Sequence, residues 1–238
     1  MQDLIDGASS LGIKLSSPQL EQFQMYYDAL IDWNQRVNLT AITDYHDAQL
    51  KHFVDSLSVV LALPTPILDF CRIIDVGTGG GFPGIPLKIA FPQIHLTLLE
   101  STGKKCDFLR HVVQRLVLNN VDVVCARSED AANMPEYREQ FDVVLTRGLA
   151  KMAVLSELTL PLCNVGGRLI AQKKDNISDE LKAAARAISI LGGQSPQIIH
   201  VDISGLSDLR CLVVVNKSKH IQPQYPRRNG IPAKKPLG

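Results

Sequence analysis

Apolar residues recur at helical spacing through the first 68 residues. Leu20, Phe23, Tyr27, Leu30 and Ile31 make one stripe, and Leu50, Phe53, Val54, Leu57 and Leu61 make a second. Side chains three and four positions apart share one helix face, so both stripes predict helices packed on a neighbouring domain. Ser17 followed by Pro18 fits a helix start, because a hydroxyl satisfies free amides and proline has none to satisfy. The second helix is expected after Asp44.

The pattern changes at Leu63-Pro64-Thr65-Pro66. Beyond it, short β-rich runs alternate with helical runs. Strands are expected at 72–76, 94–100, 121–125, 141–146, 168–172 and 210–215. Helices are expected at 84–91, 104–116, 152–160 and 179–191. Such alternation predicts an α/β fold: a doubly wound, mostly parallel sheet with helices on both faces. The chain divides into a helical extension (1–68), an α/β core (69–216) and a tail (217–238). The tail carries Pro223, Pro226, Pro232 and Pro236 and is expected to be irregular, ordering on a partner.

Composition narrows the class. Of 238 residues, 45% are hydrophobic, enough for a sizeable core. The N-terminus lacks a basic, apolar leader, and apolar windows such as 58–68 fall short of the roughly 20 residues that span a bilayer. A cytoplasmic protein is expected. The cysteines (Cys71, Cys106, Cys125, Cys163, Cys211) are scattered without C-x-x-C spacing, so buried, reduced thiols are expected, with no metal site. Net charge is +1, but unevenly placed: 3 basic and 8 acidic residues in 1–68, 16 of each in 69–216, and 6 basic with no acidic residues in 217–238. A basic tail on a neutral body suits an anionic partner, with nucleic acid the leading candidate; a solvated tail is the plainer alternative.

The strongest local signal is Asp75-Val76-Gly77-Thr78-Gly79-Gly80-Gly81-Phe82-Pro83-Gly84, between a strand and a helix. Glycines here let the backbone turn sharply and let a ligand approach, and a doubly wound sheet binds ligands at the strands' carboxyl ends. Gly79, Gly81 and Gly84 satisfy the dinucleotide pattern G-x-G-x-x-G, and Glu100 stands where a ribose-binding acid belongs. An NAD-dependent oxidoreductase is therefore one reading. Asp75 favours another, because a carboxylate there suits the cationic S-adenosylmethionine. Asp75 and Glu100 are expected at the ligand, although either could instead cap a helix or hold the loop. Arg147, after the fourth strand, points into the same crevice and can grip a carboxylate or phosphate; a structural ion pair is its alternative. Lys173 and Lys174 add charge to that rim or simply face solvent.

Together these residues resemble the bacterial 16S ribosomal RNA guanine-N7 methyltransferases, the glucose-inhibited division protein B family. The resemblance runs nearly the whole chain. It is carried by Trp33-Asn34, Asn38-Leu39-Thr40, His52-Phe53-Val54-Asp55-Ser56-Leu57, the 75–87 segment and Tyr225-Pro226-Arg227-Arg228-Asn229-Gly230-Ile231-Pro232. It implies a class I, Rossmann-like methyltransferase core with a helical extension. It implies cofactor contacts from Gly77, Phe82, Ser128, Glu129 and Arg147, with Ser128-Glu129 at the adenine end; Gly79 and Gly81, like Asp75 and Glu100, are expected at the cofactor from the loop pattern itself. Arg147, Lys173, Arg227 and Arg228 would neutralise phosphates of 16S RNA, free or in the small ribosomal subunit. Many members have Lys-Gly where this chain has Lys173-Lys174. Guanine N7 carries a lone pair and no proton, so no general base is expected; positioning carries the reaction. A monomer is expected, and methyl transfer to another substrate remains an alternative.

Overall fold

The computed structural model describes residues 1–63, 71–174, 176–205 and 209–237. The expected boundary at 68/69 lies outside these residues. The helices are α1 (Gln2–Ser10), α2 (Ser17–Asn34), α3 (Tyr45–Ala48), α4 (Asp55–Leu57), α5 (Gly84–Ala90), α6 (Gly103–Arg115), α7 (Ser128–Ala131), α8 (Met152–Thr159), α9 (Ser178–Ile190) and α10 (Ile231–Lys234). The strands are β1 (Arg72–Val76), β2 (His95–Glu100), β3 (Val121–Cys125), β4 (Phe141–Arg147), β5 (Cys163–Lys174), β6 (Gln197–Val201) and β7 (Arg210–Asn216).

The seven strands form one sheet in the order β3-β2-β1-β4-β5-β7-β6. The first five run parallel, while β7 is antiparallel to both β5 and β6. Order reverses between β1 and β4, so the carboxyl ends of these two strands open a crevice there. The parallel strands inside the sheet are largely apolar on both faces, as strands covered on both sides must be, whereas β3 at the edge exposes Asp122 and Cys125. Ile73, Leu96, Leu98, Val143, Leu145 and Ile170 point into a core shared with α1, α2, α5 and α6. Ile74, Val76, Leu99, Val144, Leu169 and Ala171 point the other way, against α8 and α9. The helical extension is thus continuous with one face of the sheet core.

Local details depart from the sequence expectations. Ser16, not Ser17, caps α2, with Gln19 completing a reciprocal capping box. Tyr26 rather than Tyr27 is the fully buried tyrosine of that helix, and Leu61 of the second stripe is exposed. Asp44 does cap the second helix, accepting from the Asp47 amide at 2.9 Å. That helix then runs through a π-helical stretch (Gln49–Val54) and α4 into a 3-10 turn (Ser58–Ala62). The wider π turn places Gln49, His52, Phe53 and Val54 all in buried positions. Strand β5 begins earlier than expected, and β6 was not foreseen. Cys125 is exposed, whereas the other cysteines are buried; all are free thiols.

The tail is largely irregular, as expected, and it packs on the core of its own chain. Lys217 is buried and pairs with Glu139 at 2.7 Å. The Arg227 guanidinium clasps the fully buried Glu157 through Nε at 2.8 Å and Nη2 at 2.6 Å.

Candidate functional site

The glycine loop leaves β1 and turns back over its end. Gly77, Gly79 and Gly81 all have positive φ, a region that side chains strain to enter. Asp75 lies beneath the loop with no exposed surface. Its Oδ2 accepts from the Thr78 hydroxyl at 2.6 Å and from the Gly84 amide at 2.8 Å. Asp75 thereby holds both ends of the loop, while its buried Oδ1 accepts no hydrogen bond from any described residue. Burial pushes its pKa up to about 6, against the pull of those two hydrogen bonds. Glu100 braces the loop from β2, accepting from the Gly79 amide at 3.1 Å and the Thr102 amide at 2.8 Å. Both carboxylates thus hold the loop over the end of β1.

Two cavities open at the crevice. The first, of about 160 Å³, lies against Gly77, Leu99, Ser101, Ser128, Glu129 and Leu149. A Cβ on Gly77 would stand 2.6 Å from the Leu149 side chain. The bare backbone therefore keeps this cradle open at the strand end, with room for one end of an S-adenosylmethionine. Ser128 and Glu129 reach the cavity as expected, but their side chains are engaged. The Ser128 hydroxyl donates to the Leu158 carbonyl, and Glu129 Oε1 accepts from the Gly230 amide at 3.0 Å. Their backbone carbonyls are engaged as well, by the Ala132 amide at 2.9 Å and the Asn133 side chain at 2.8 Å.

The second cavity, of about 490 Å³, lies between the helical extension and the ends of β4 and β5. Arg147 and Gly148 line it, whereas Leu149 lines the first, so one short turn serves both. Arg147 is the hub. Its Nη1 donates to Asp55 at 3.0 Å, its Nη2 meets His52 Nδ1 at 3.2 Å, and its guanidinium carbon sits 4.9 Å from the Phe82 ring centre. His52 stacks on the same Phe82 at 4.4 Å and 15°. Burial and the adjacent Arg147 push the His52 pKa down to about 3, so this imidazole is neutral. Phe82, expected at the cofactor, packs against both Arg147 and His52.

Asp55 is almost wholly buried and also lies 3.5 Å from Arg210 Nε. That distance is an ionic contact too long for a hydrogen bond, and Asp55 Oδ1 accepts none from any described residue. Gln172 donates through Nε2 to the Asp55 carbonyl at 2.6 Å, while its Oε1 likewise accepts nothing from the described residues. Two buried acceptors thus adjoin a cavity ringed by Lys51, Lys173, Arg147 and Arg210. Lys173, an expected phosphate contact, bonds the Ala150 carbonyl at 2.6 Å and Glu180 at 2.7 Å. Arg227 is committed to Glu157; Arg228 is exposed near it.

Sequence reasoning did not assign roles to His52, Asp55 or Gln172. The first two lie in the segment His52-Phe53-Val54-Asp55-Ser56-Leu57, whose polar positions inside an apolar helix were the available signal. Among the described residues, no group of three or more His, Cys, Asp or Glu could hold a metal, and no helix is long and apolar enough to cross a membrane.

Comparison with known proteins agrees with this architecture. The family model described as rRNA small subunit methyltransferase G matches residues 19–205. The ribosomal RNA small subunit methyltransferase G of Dehalococcoides mccartyi (strain CBDB1) is 50% identical over 237 residues, covering 100% of both chains. Its namesake in Roseiflexus castenholzii (strain DSM 13941 / HLO8) is 48% identical over 238 residues, again covering 100% of both. Among solved structures, a predicted O-methyltransferase, protein Atu636 from Agrobacterium tumefaciens, gives a TM-score of 0.54 at 17% identity, covering 69% of this chain and 81% of its own. The YcgJ protein from Bacillus subtilis gives 0.52 at 12% identity, covering 69% of this chain and 99% of its own. At such identities the structures speak to the fold alone. The full-length relatives and the family model decide the rest: the chain belongs to the rRNA small subunit methyltransferase G family.

Proposed function

We propose that this chain is an S-adenosylmethionine-dependent methyltransferase that modifies N7 of a guanine in 16S ribosomal RNA, acting in the cytoplasm as a monomer. The observation that carries the reading is the pair of cavities meeting at the 147–149 turn. One is a glycine-floored cradle suited to the donor; the other is a cation-ringed cavity suited to a base attached to phosphates. S-adenosylmethionine, when bound, supplies an electrophilic methyl group on a sulfonium.

The residues of this chain then have to position and to exclude water. Gly77 floors the donor cradle, with Asp75 and Glu100 fixing the loop. Arg147, Lys51 and Arg210 give the second cavity a positive rim for phosphate. The buried Asp55 carboxylate lies on the same cavity and holds Arg147 and Arg210 at its rim. His52 is neutral and so adds no charge there. N7 carries no proton, so no base is required of the chain. Positioning of this kind can supply roughly 7–11 kcal/mol.

A thermal-shift titration with a transfer assay tests the reading. S-adenosylmethionine raises the melting temperature and NAD does not, and label from the donor enters small-subunit RNA. Stabilisation by NAD in place of S-adenosylmethionine supports the oxidoreductase alternative. Donor binding with transfer only to a small molecule or a protein removes the RNA from the assignment.

A further inference from the structure

The basic tail reads from composition as an arm for RNA, but its placement indicates another task. Gly230 and Ala233 line the same cavity as Gly77, Ser128 and Glu129. Taking that cavity as the donor site, we propose that the C-terminal segment 226–235 is a wall of the S-adenosylmethionine site and positions the residues at its adenine end.

The fastening is specific. Glu129 accepts from the Gly230 amide at 3.0 Å, and the next residue, Asp130, takes the Asn229 amide group on both carboxylate oxygens at 3.0 and 2.8 Å. The segment is anchored upstream by Arg227, whose backbone amide and guanidinium both bond Glu157. Glu157 has no exposed surface. It adjoins Leu158, whose carbonyl takes the Ser128 hydroxyl. Arg138 holds the Tyr225 carbonyl at 2.8 Å from the other side. Both residues expected at the adenine end are therefore linked to the tail or to its anchor. A buried charge pair is costly to leave half-made, so Glu157 and Arg227 keep the wall seated. The positive charge of Arg227 is spent on this anchor and is not offered to phosphate.

Linkage makes the coupling reciprocal: what the tail contributes to donor affinity, the donor returns to tail docking. Two variants of the full chain separate a donor wall from an RNA arm. Ala233 is exposed and lines the cavity, so Ala233→Trp puts bulk at the cavity edge. Glu157→Gln keeps the shape of the anchor and removes its charge. Donor dissociation constants are measured calorimetrically with S-adenosylmethionine in the absence of RNA, and RNA affinity is measured separately. The wall predicts that both variants weaken donor binding at least tenfold, that RNA binding without donor changes less than twofold, and that Ala233→Trp leaves the melting temperature of the unliganded chain unchanged. It also predicts that the donor slows amide exchange across 226–235 in the wild type. Wild-type donor affinity in both variants, or weakened RNA binding with donor affinity intact, overturns it. A wild-type chain that binds no donor overturns the methyltransferase reading itself, and this one with it.

Discussion

Arg147, at the end of β4, donates to the carboxylate of Asp55 at 3.0 Å across 92 positions of sequence. This bond ties the helical extension to the sheet at the mouth of the crevice. Asp55→Ala leaves Arg147 and Arg210 facing each other's charge without their shared carboxylate. Removing one partner of such a buried pair costs about 3 kcal/mol. In a chain of this size that lowers the melting temperature by roughly 6–12 °C. Methyl transfer is expected to fall further than stability alone explains, which assays well below the melting point will show.

Gly77 and Gly79 both have left-handed backbones, at φ +69° and +59°. They differ in surroundings: a Cβ at Gly77 meets Leu149 at 2.6 Å, while one at Gly79 meets nothing within 4 Å. Alanine at either carries about 1 kcal/mol or more of backbone strain. Only at Gly77 does it also push a side chain that lines the donor cavity. Gly77→Ala is expected to raise KM for S-adenosylmethionine at least tenfold, and Gly79→Ala by much less. Equal effects would contradict the cradle.

Asp75 and His52 pull the pH dependence of stability in opposite directions. The folded pKa of Asp75, about 6, lies above its ordinary value of 3.8. Between these the folded chain holds a proton that the unfolded chain has released, so this group's contribution falls as pH rises from about 4 to 6. The folded pKa of His52, about 3, lies below 6.5. There the unfolded chain holds the extra proton, so stability is lost as pH falls from 6.5 towards 3. Denaturant titrations of Asp75→Asn and His52→Asn against the wild type isolate the two. Asp75→Asn should gain relative stability as pH rises from 4 to 6, and His52→Asn should gain it as pH falls below 6.5.

Arg228 is exposed, whereas Arg227 is locked to Glu157. Arg228→Ala is expected to lower the salt slope of RNA binding by about one, as loss of a single phosphate contact does. Binding measured from low to moderate salt checks this. An unchanged slope would mean that Arg228 faces only solvent.

Much of this arrangement was legible in the sequence. The expected limits of β1 and β3 match the structure, because their apolar runs are bounded by turn residues. Strand β6 was not read: Gln197, Ile198 and His200 at the sheet's edge give no clean alternation, and only Val201 is buried. Period-two alternation along β1 places Asp75 on the face of Ile73, towards α5, and could have revealed its burial. The docking of the tail was not legible for a different reason. Its charge is visible locally, but Glu139 and Glu157, which neutralise Lys217 and Arg227, lie 78 and 70 positions away in the chain. Composition cannot see such pairs. The bond between Arg147 and Asp55 is hidden in the same way, although Arg147 itself stood out at its strand end.

The most direct test of the central claim is nucleoside analysis after methyl transfer. The protein is incubated with labelled S-adenosylmethionine and 16S RNA, free and in small subunits, from a strain lacking this activity. Label is predicted in 7-methylguanosine and lost in Gly77→Asp. Label in another nucleoside, or donor binding without transfer to either RNA form, would contradict the account.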